Sequence, residues 1–426
     1  MSGAGLTVVS ALIVLYAGFG RRTSRWNLSA PMLALIAGAV IFSFADISVI
    51  DLGAIHLLAE ATLVLVLFHD AATVRLSGLV QDLGVPVRLL ALGFPLAVAA
   101  TFGAGWALFP ALGAMGALLL AASVTPTDAG LGAATVLNPA VPIRVRRALN
   151  VESGLNDGLA TPIVLLALSG LATATIPESE RAFLSFGVVP VTVAVVLAVI
   201  VAWGGAWLTE KSAQREWSNG EGRQIIMLMI PLLLLGGAEV VGGNAFIAAF
   251  VGGLVFGART PLLHDEPETS WLLETGADLL SLGVWFLGGG LMLVVFEAGI
   301  RWQWIVMAVA ALTVLRLVPV WLCLLGTGFR LPTIAFLGWF GPRGLASIIF
   351  AILTVEELGD TNPVMIDVVG TIAVTVLLSV IVHGLSAGPL AARYGSWVRR
   401  THPPIEKEPA SAPARPRGGL TGQQAG

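Results

Sequence analysis

Charged residues and cysteine are both scarce in this chain. Charged residues make up 12% of the 426 residues and hydrophobic residues 56%, whereas soluble globular domains carry about 25% charged residues. The single cysteine, Cys323, excludes an intramolecular disulfide and a multi-cysteine metal site. The sequence also lacks a Ser/His/Asp or metal-ligand cluster at a workable spacing and a basic, aromatic-rich patch for nucleic acid. We therefore predict a polytopic membrane protein that is not an enzyme, needs no cofactor and binds no nucleic acid.

Long apolar runs occupy most of the chain. Because a membrane-spanning helix needs about 20 apolar residues, the sequence predicts an all-α protein of about 13 spans. The predicted spans are 4–20, 29–45, 53–71, 86–109, 112–137, 149–173, 183–208, 224–241, 244–258, 275–296, 302–325, 331–354 and 364–390. Residues 1–400 form the predicted transmembrane domain. Residues 401–426, rich in Pro, Ala and Gly, form a predicted short disordered tail.

The positions of Lys and Arg predict how these spans are oriented. With the N-terminus outside, 19 of the 23 Lys and Arg residues lie in inside loops or in the tail. Arg181 and Arg301 then lie outside, and Arg316 and Arg343 lie within spans. Cytoplasmic loops carry an excess of Lys and Arg. We therefore predict an external N-terminus and a cytoplasmic C-terminus, and we expect the protein in a bacterial inner membrane.

Two of the predicted spans are interrupted. The fifth contains Ser-Val-Thr-Pro-Thr-Asp-Ala-Gly at 123–130, and the twelfth contains Gly-Trp-Phe-Gly-Pro-Arg-Gly at 338–344. Proline removes a backbone donor and clashes with the preceding turn. The two spans run in opposite directions, and interrupted segments at matching points of two inverted halves are typical of secondary-transporter sites. Two ordinary proline kinks are the alternative, which the charges of Asp128 and Arg343 beside the breaks disfavour.

The sixth predicted span carries the most informative polar residues. Residues four apart share a helix face, so Ser153 and Asp157 stack on one face, which Thr161 continues. Glu152 and Asn156 stack on a second face about 100° around the helix. An ionised carboxylate within a membrane span is costly and typically marks an ion pathway or a proton relay. The hydroxyl and carboxylate oxygens of the first face suit Na⁺, Li⁺ or H⁺.

The residues also indicate how exchange would work. Arg343 is the intramembrane cation beside a break, and Glu152 is its predicted partner, because a buried Arg needs a counter-ion. That pair would keep Glu152 ionised and leave Asp157 to exchange ligands. Burial favours the protonated carboxyl group, whereas a bound cation favours the ionised one. A cation and a proton then compete for Asp157 and move in opposite directions if only loaded states switch access.

These motifs resemble those of the monovalent cation/proton antiporter-1 family, which includes the NhaP-like exchangers. The sixth-span signature at 152–157, Glu-Ser-x-x-Asn-Asp, is the most specific match. The Thr-Asp pair at 127–128, the Gly-Pro-Arg-Gly run at 341–344, the Phe-His-Asp run at 68–70 and the Leu-Arg-Leu run at 315–317 resemble further family segments. The resemblance implies an NhaA/NhaP-like fold with two inverted repeats, whose discontinuous helices 5 and 12 cross near the midplane.

The resemblance implies a role for each residue at the matched positions. Asp157 would exchange the cation and the proton, beside Asn156. Ser153 and the backbone carbonyl of Thr127 would complete the metal-ligand set with Asp157. Asp128 would balance the ends of the broken helix. Family members with Asn-Asp tend to be electroneutral, which implies one cation per proton.

Further charged and polar residues are candidates for supporting roles. The resemblance implies that Glu152 pairs with Arg343 and holds Asn156. Four further residues are candidates for lining an access funnel or supporting the site, and a purely structural role is the alternative for them. They are Asp70, Glu60, Thr161 and Arg316.

The leading functional hypothesis is a secondary active antiporter that exchanges Na⁺ or Li⁺ for H⁺. The residues leave K⁺/H⁺ exchange open, because selectivity depends on cavity size and rigidity. A cation channel and a transport-dead sensor of the same fold are weaker alternatives. The sequence contains no selectivity-filter loop, and the intact Asn156, Asp157 and Arg343 disfavour a sensor. The resemblance further implies a homodimer surrounded by membrane lipid.

Overall fold

The computed structural model describes scattered residues before 20 and then 29–44, 52–74, 84–136, 138–172, 188–297, 299–359 and 362–407. Within these ranges the secondary structure is entirely helical. The main helices are α1 Ala30–Phe42, α2 Leu52–Thr73, α3 Gly84–Leu108, α4 Gly113–Val124, α5 Ala129–Val136, α6 Ile143–Ala172, α7 Val189–Gln214, α8 Gly220–Val241, α9 Ala245–Arg259, α10 Trp271–Glu297, α11 Trp302–Leu312, α12 Val314–Cys323, α13 Leu331–Trp339, α14 Leu345–Leu358 and α15 Pro363–Thr401.

Local sequence signals mark several helix ends. The side chains of Asn219, Asn244 and Asn362 cap α8, α9 and α15 by accepting a hydrogen bond from a first-turn backbone N–H at 2.8–3.0 Å. Such caps satisfy N–H groups that have no partner within the helix. α8 ends at Gly242, whose φ of 70° is in the left-handed region that glycine readily adopts. A tight turn at Gly242–Gly243 therefore connects α8 to α9.

The helices agree closely with the predicted spans. Nine helical segments in the described ranges are long and apolar enough to cross a membrane, and two shorter apolar helices, α1 and α9, accompany them. The twelfth predicted span corresponds to α13 and α14 on either side of its break. Twelve of the thirteen predicted spans thus coincide with helices. The first, 4–20, falls on residues of which only a few are described.

The helices pack into two bundles. The first comprises α1, α2 and α7–α10, and the second comprises α3–α6 and α11–α15. Helices α2, α9 and α10 of the first bundle face α6, α14 and α15 of the second. Glycines allow close approach at this interface: a Cβ on Gly154 would lie 3.5 Å from Asp70 Cβ, and one on Gly288 would lie 2.8 Å from Ile348. The polar face of α6 therefore lies where the two bundles meet.

The two interrupted spans meet at their breaks. The chain is non-helical from Thr125 to Asp128, between α4 and α5, and from Phe340 to Gly344, between α13 and α14. The Asp128 N–H donates to the Pro342 carbonyl at 2.7 Å, and the Ser347 hydroxyl donates to the Ser123 carbonyl at 2.7 Å. The unwound segments therefore support each other inside the second bundle.

The start of the predicted disordered tail is ordered, which corrects that prediction for residues 402–407. After α15 ends at Thr401, the chain forms a short helix over Ile405–Lys407. The buried Glu406 carboxylate accepts hydrogen bonds from the Arg330 N–H at 3.1 Å and the Thr333 hydroxyl at 2.8 Å. These contacts hold the segment against the start of α13. Residues 408–426 lie outside the described ranges.

Candidate ion-binding site

The polar residues of α6 are buried although the helix is long and apolar. Glu152, Ser153, Asn156, Asp157 and Thr161 each expose at most 6% of their surface. A charged group at such a position is costly unless paired, hydrogen-bonded or able to bind an ion. This part of α6 is therefore the structural centre of the candidate site.

Thr127 joins the first break to the polar face of α6. Its hydroxyl shares a hydrogen bond with the Ser153 hydroxyl at 2.8 Å and accepts one from the Asn156 Nδ2 at 2.7 Å. The Asn156 Oδ1 is buried and has no hydrogen-bond partner among the described residues. Three hard oxygen-bearing groups thus lie together, Thr127 from the break and Ser153 and Asn156 from α6, and Asp157 follows Ser153 by one turn of α6. Oxygen atoms of this kind suit a small monovalent cation, and the unsatisfied amide oxygen fits such an occupant.

Asp128 stabilises both half-helices that begin at the breaks. Its carboxylate accepts a hydrogen bond from the Leu131 N–H in α5 at 2.8 Å and from the Leu345 N–H in α14 at 2.6 Å. A carboxylate is favoured at a helix N-terminus, where backbone N–H groups carry partial positive charge. A Cβ on Gly344 would lie 2.8 Å from the Asp128 Cγ, so glycine there admits this carboxylate.

The predicted ion pair between Glu152 and Arg343 is wrong. Glu152 instead forms a bidentate pair with Arg316, whose Nη2 donates to Oε2 at 2.8 Å and whose Nη1 contacts Oε1. Both side chains are buried. Arg316 follows Thr313, where α11 and α12 are interrupted, and this brings its guanidinium beside α6. The planar fork of an arginine matches a carboxylate in this geometry.

Arg343 serves the breaks instead. Its guanidinium donates to the Pro126 carbonyl at 3.0 Å and to the Ala311 carbonyl at 3.2 Å. A cation is favoured beside the carbonyl groups at interrupted helix ends for the same reason that an anion is favoured beside the N–H groups. The expectation that Glu152 holds Asn156 is also corrected, because the Asn156 amide donates to Thr127.

The remaining predicted residues lie at different distances from this centre. Thr161 donates its hydroxyl to the Asp157 backbone carbonyl at 2.7 Å, so it bonds within α6. Asp70 is buried against Gly154 of α6. Glu60 lies in the first half of α2, where its carboxylate is 3.2 Å from His56 Nε2. The structure thus places Asp70 beside the site and Glu60 in a separate group.

Several residues at the breaks carry no motif that sequence reasoning recognised. The Ser379 hydroxyl on α15 accepts a hydrogen bond from the Arg343 N–H at 2.6 Å. Ser347 binds the Ser123 carbonyl, and Trp285 of α10 lies against Gly344. Serines are common within apolar helices, so the sequence alone does not distinguish Ser347 and Ser379 from other serines. Their roles become visible only once the structure shows which residues lie beside the breaks.

The fold and the site define a class of protein. An all-helical membrane bundle, in which two interrupted helices meet beside a buried carboxylate, is the architecture of an ion-coupled secondary transporter. A family model described as "Sodium/hydrogen exchanger, transmembrane" matches residues 8–393. The chain belongs to this sodium/hydrogen exchanger family.

Individual relatives of known name share about a quarter of their residues with this chain in the aligned regions. A Na(+)/H(+) antiporter of Schizosaccharomyces pombe is 27% identical over 37% of this chain and 34% of its own length. A K(+)/H(+) antiporter NhaP2 of Shewanella baltica is 24% identical over 82% of this chain and 59% of its own length. The chain thus spans about a third of the first relative's length and somewhat less than two thirds of the second's. The structure of the sodium proton antiporter MjNhaP1 from Methanocaldococcus jannaschii at pH 8 matches with a TM-score of 0.71 and 19% identity, over 92% of this chain and 98% of that one. This likeness establishes the fold.

Proposed function

We propose that this protein is a secondary active transporter that exchanges a monovalent cation, Na⁺ or Li⁺, for a proton. The observation that carries the proposal is the meeting of the Thr127 and Ser153 hydroxyls at 2.8 Å, one helical turn before Asp157 on the same face of α6. The membership of the chain in the sodium/hydrogen exchanger family agrees with it.

Asp157 is the exchanging group in this proposal. Its carboxylate, the Ser153 hydroxyl and Thr127 form the cation ligands, with the Asn156 amide beside them. When the cation leaves, the buried carboxylate takes a proton because burial favours the protonated form over the charged one. Cation and proton therefore bind in turn, and access switches between the two sides of the membrane only when one of them is bound. Asp128 stays with the half-helix ends through both steps.

The charge balance of the site supports one cation per proton. Five buried charges lie at the breaks, within residues 152–157 of α6 or paired with that stretch: the carboxylates of Asp128, Glu152 and Asp157 and the guanidiniums of Arg316 and Arg343. The set therefore carries an excess of one negative charge. One monovalent cation or one proton neutralises it, so both loaded states have the same charge. We propose electroneutral exchange on this ground.

K⁺/H⁺ exchange is the second candidate. The Shewanella baltica relative is named a K(+)/H(+) antiporter. K⁺ is larger than Na⁺ and requires a wider set of oxygens, to which the unsatisfied Asn156 Oδ1 offers one more. The proposal includes no resident cofactor and no enzymatic step. We further propose a homodimer in a bacterial inner membrane. Its N-terminus is external and its C-terminus cytoplasmic in this proposal, and the distribution of Lys and Arg supports that orientation.

Transport by the purified protein in vesicles tests this proposal. An outward or inward proton gradient is imposed, Na⁺, Li⁺ or K⁺ is added in turn, and internal pH is followed without any added cofactor. A cation-dependent pH change in the wild type, lost in Asp157→Asn, is expected, and the order of the ions gives the selectivity.

The matched control is Asp278→Asn, which removes a different intramembrane carboxylate, on α10. We expect it to retain exchange. Folding of every variant is checked by its elution as a single species and by its unfolding temperature. A wild type that is folded yet unresponsive to all three cations contradicts the proposal, as does equal exchange by Asp157→Asn.

A further inference from the structure

One buried histidine lies behind the second break and has no part in the exchange step described above. His383 is on α15 and exposes 3% of its surface. Its Nε2 lies 2.9 Å from the carbonyl oxygen of Trp339, the last residue of α13. Its Nδ1 lies 3.0 Å from the Ser379 carbonyl oxygen and 3.3 Å from the Ser379 hydroxyl. Nε2 therefore faces Trp339 at the end of α13, and Nδ1 faces Ser379, whose hydroxyl contacts the break.

The neutral imidazole can donate to only one of these two carbonyl oxygens. With its proton on Nε2, the ring donates to the Trp339 carbonyl, which also accepts from the Gly341 N–H at 2.9 Å where α13 ends. Nδ1 then accepts from the Ser379 hydroxyl at 3.3 Å and forms no hydrogen bond with the Ser379 carbonyl, and the same hydroxyl accepts from the Arg343 N–H at 2.6 Å. His383 thereby holds one side of the break at Trp339 and the other side at Arg343.

The same chain of contacts continues to the candidate ion ligands. The Arg343 guanidinium donates to the Pro126 carbonyl at 3.0 Å, and Pro126 immediately precedes Thr127. The Thr127 hydroxyl contacts Ser153 and Asn156. A change in the path of residues 340–343 would therefore displace Arg343 and alter the position of Thr127.

We propose that His383 is a positioning residue for cation binding, because it fixes the second break through Trp339 and Ser379 and, through Arg343, the Thr127 segment. This inference rests on the antiport proposed above. It predicts that loss of the imidazole lowers the affinity for the cation more than the maximal rate of exchange.

The test compares three variants in the same vesicles. His383→Phe keeps a planar ring but removes both nitrogens, and His383→Gln keeps an N–H donor for the Trp339 carbonyl. Ser386→Ala is the matched control, because it removes the 3.0 Å hydrogen bond from the Trp339 indole Nε1 and leaves the Trp339 carbonyl contact in place. The half-saturating Na⁺ concentration and the maximal rate are measured for each.

We expect His383→Phe to raise the half-saturating Na⁺ concentration by about tenfold, the equivalent of about 1.4 kcal/mol, with a maximal rate within about twofold of the wild type. His383→Gln should restore most of the affinity, and Ser386→Ala should match the wild type. A purely structural role would lower the maximal rate and the amount of folded protein without rescue by Gln. Unchanged Na⁺ affinity in folded His383→Phe, or an equal loss in Ser386→Ala, would overturn the inference.

A second measurement separates this inference from the proposed function. A ligand that binds the folded state stabilises it by an amount that grows with the logarithm of its concentration relative to its Kd, so unfolding in detergent is followed at increasing Na⁺ concentrations. If wild-type protein is stabilised by Na⁺ but does not exchange it for protons, antiport fails. If the Na⁺ response of His383→Phe equals that of the wild type, or neither responds, the inference fails.

Discussion

At the scale of single residues, the site contains a buried, bidentate ion pair between Glu152 and Arg316. Two charges removed from water attract each other strongly but lose their hydration, so the pair need not stabilise the fold overall. Removal of one partner is a different matter, because it leaves an uncompensated buried charge. The pair therefore fixes where α12 lies beside α6, whatever its net free energy.

A double-mutant cycle distinguishes this pair from the one that the sequence suggested. Glu152→Gln and Arg316→Gln, singly and together, should show a coupling of about 1–3 kcal/mol in the free energy of unfolding, as expected for groups in direct contact. The cycle of Glu152→Gln with Arg343→Gln should show a smaller coupling, because Arg343 donates to two backbone carbonyls. Unfolding in detergent gives the free energies. A larger coupling to Arg343 would contradict the pairing described here.

At the scale of helices, the closeness of the two bundles depends on small residues along α6. A Cβ on Gly158 would lie 2.6 Å from Cγ of the Phe250 ring of α9, a separation that real atoms do not adopt. Gly154 faces Asp70 of α2, and a Cβ there would be in ordinary van der Waals contact with Asp70 at 3.5 Å. Glycine at these positions weakens the intrinsic preference for helix, but it allows the polar face of α6 to approach the first bundle.

Alanine at Gly158 should therefore destabilise the protein. We expect Gly158→Ala to lower the free energy of unfolding by about 1–3 kcal/mol, the usual cost of overpacking, and the additional change Phe250→Leu to recover part of it. Gly236→Ala is the control, because a Cβ there meets no atom within 4 Å and lies within helix α8. It should be neutral or slightly stabilising. Equal effects of the two alanines on the unfolding temperature would count against close packing at Gly158.

The helices also show where sequence reasoning succeeds. Twelve spans and both breaks were predictable, because apolar length and the placement of Pro126 and Pro342 are local properties. The pairing of Glu152 was not, since it depends on an interruption at Thr313 that no proline or glycine marks. The order at Glu406 was also not predictable, because its partners at Arg330 and Thr333 lie more than 70 residues away along the chain.

At the scale of the whole molecule, the two bundles differ in where the interrupted helices and the site charges lie. The second contains both breaks and the five buried charges Asp128, Glu152, Asp157, Arg316 and Arg343, and it also buries Arg147 of α6. The first contacts it through α2, α9 and α10. Contacts such as the one between His56 of α2 and Glu356 of α14, at 2.5 Å, connect the bundles at one end of the interface. In the proposed exchange, a change in access to the site would alter the contacts between the two bundles.

The excess of one negative charge among these five site residues leads to a prediction about the whole transport cycle. If one Na⁺ or one proton neutralises that charge, both loaded forms cross the membrane field with the same net charge. The rate of Na⁺-driven proton movement should then be independent of an imposed membrane potential of either sign.

Vesicles with a K⁺ gradient and valinomycin provide that potential while internal pH is recorded, and the same vesicles with equal K⁺ on both sides are the control. If K⁺ proves to be a substrate, a gradient of a membrane-permeant anion provides the potential instead. A rate that rises with one sign of the potential and falls with the other would mean unequal stoichiometry. A second titrating carboxylate would then be required, and Asp70, buried against Gly154 of α6, is the first to test by Asp70→Asn.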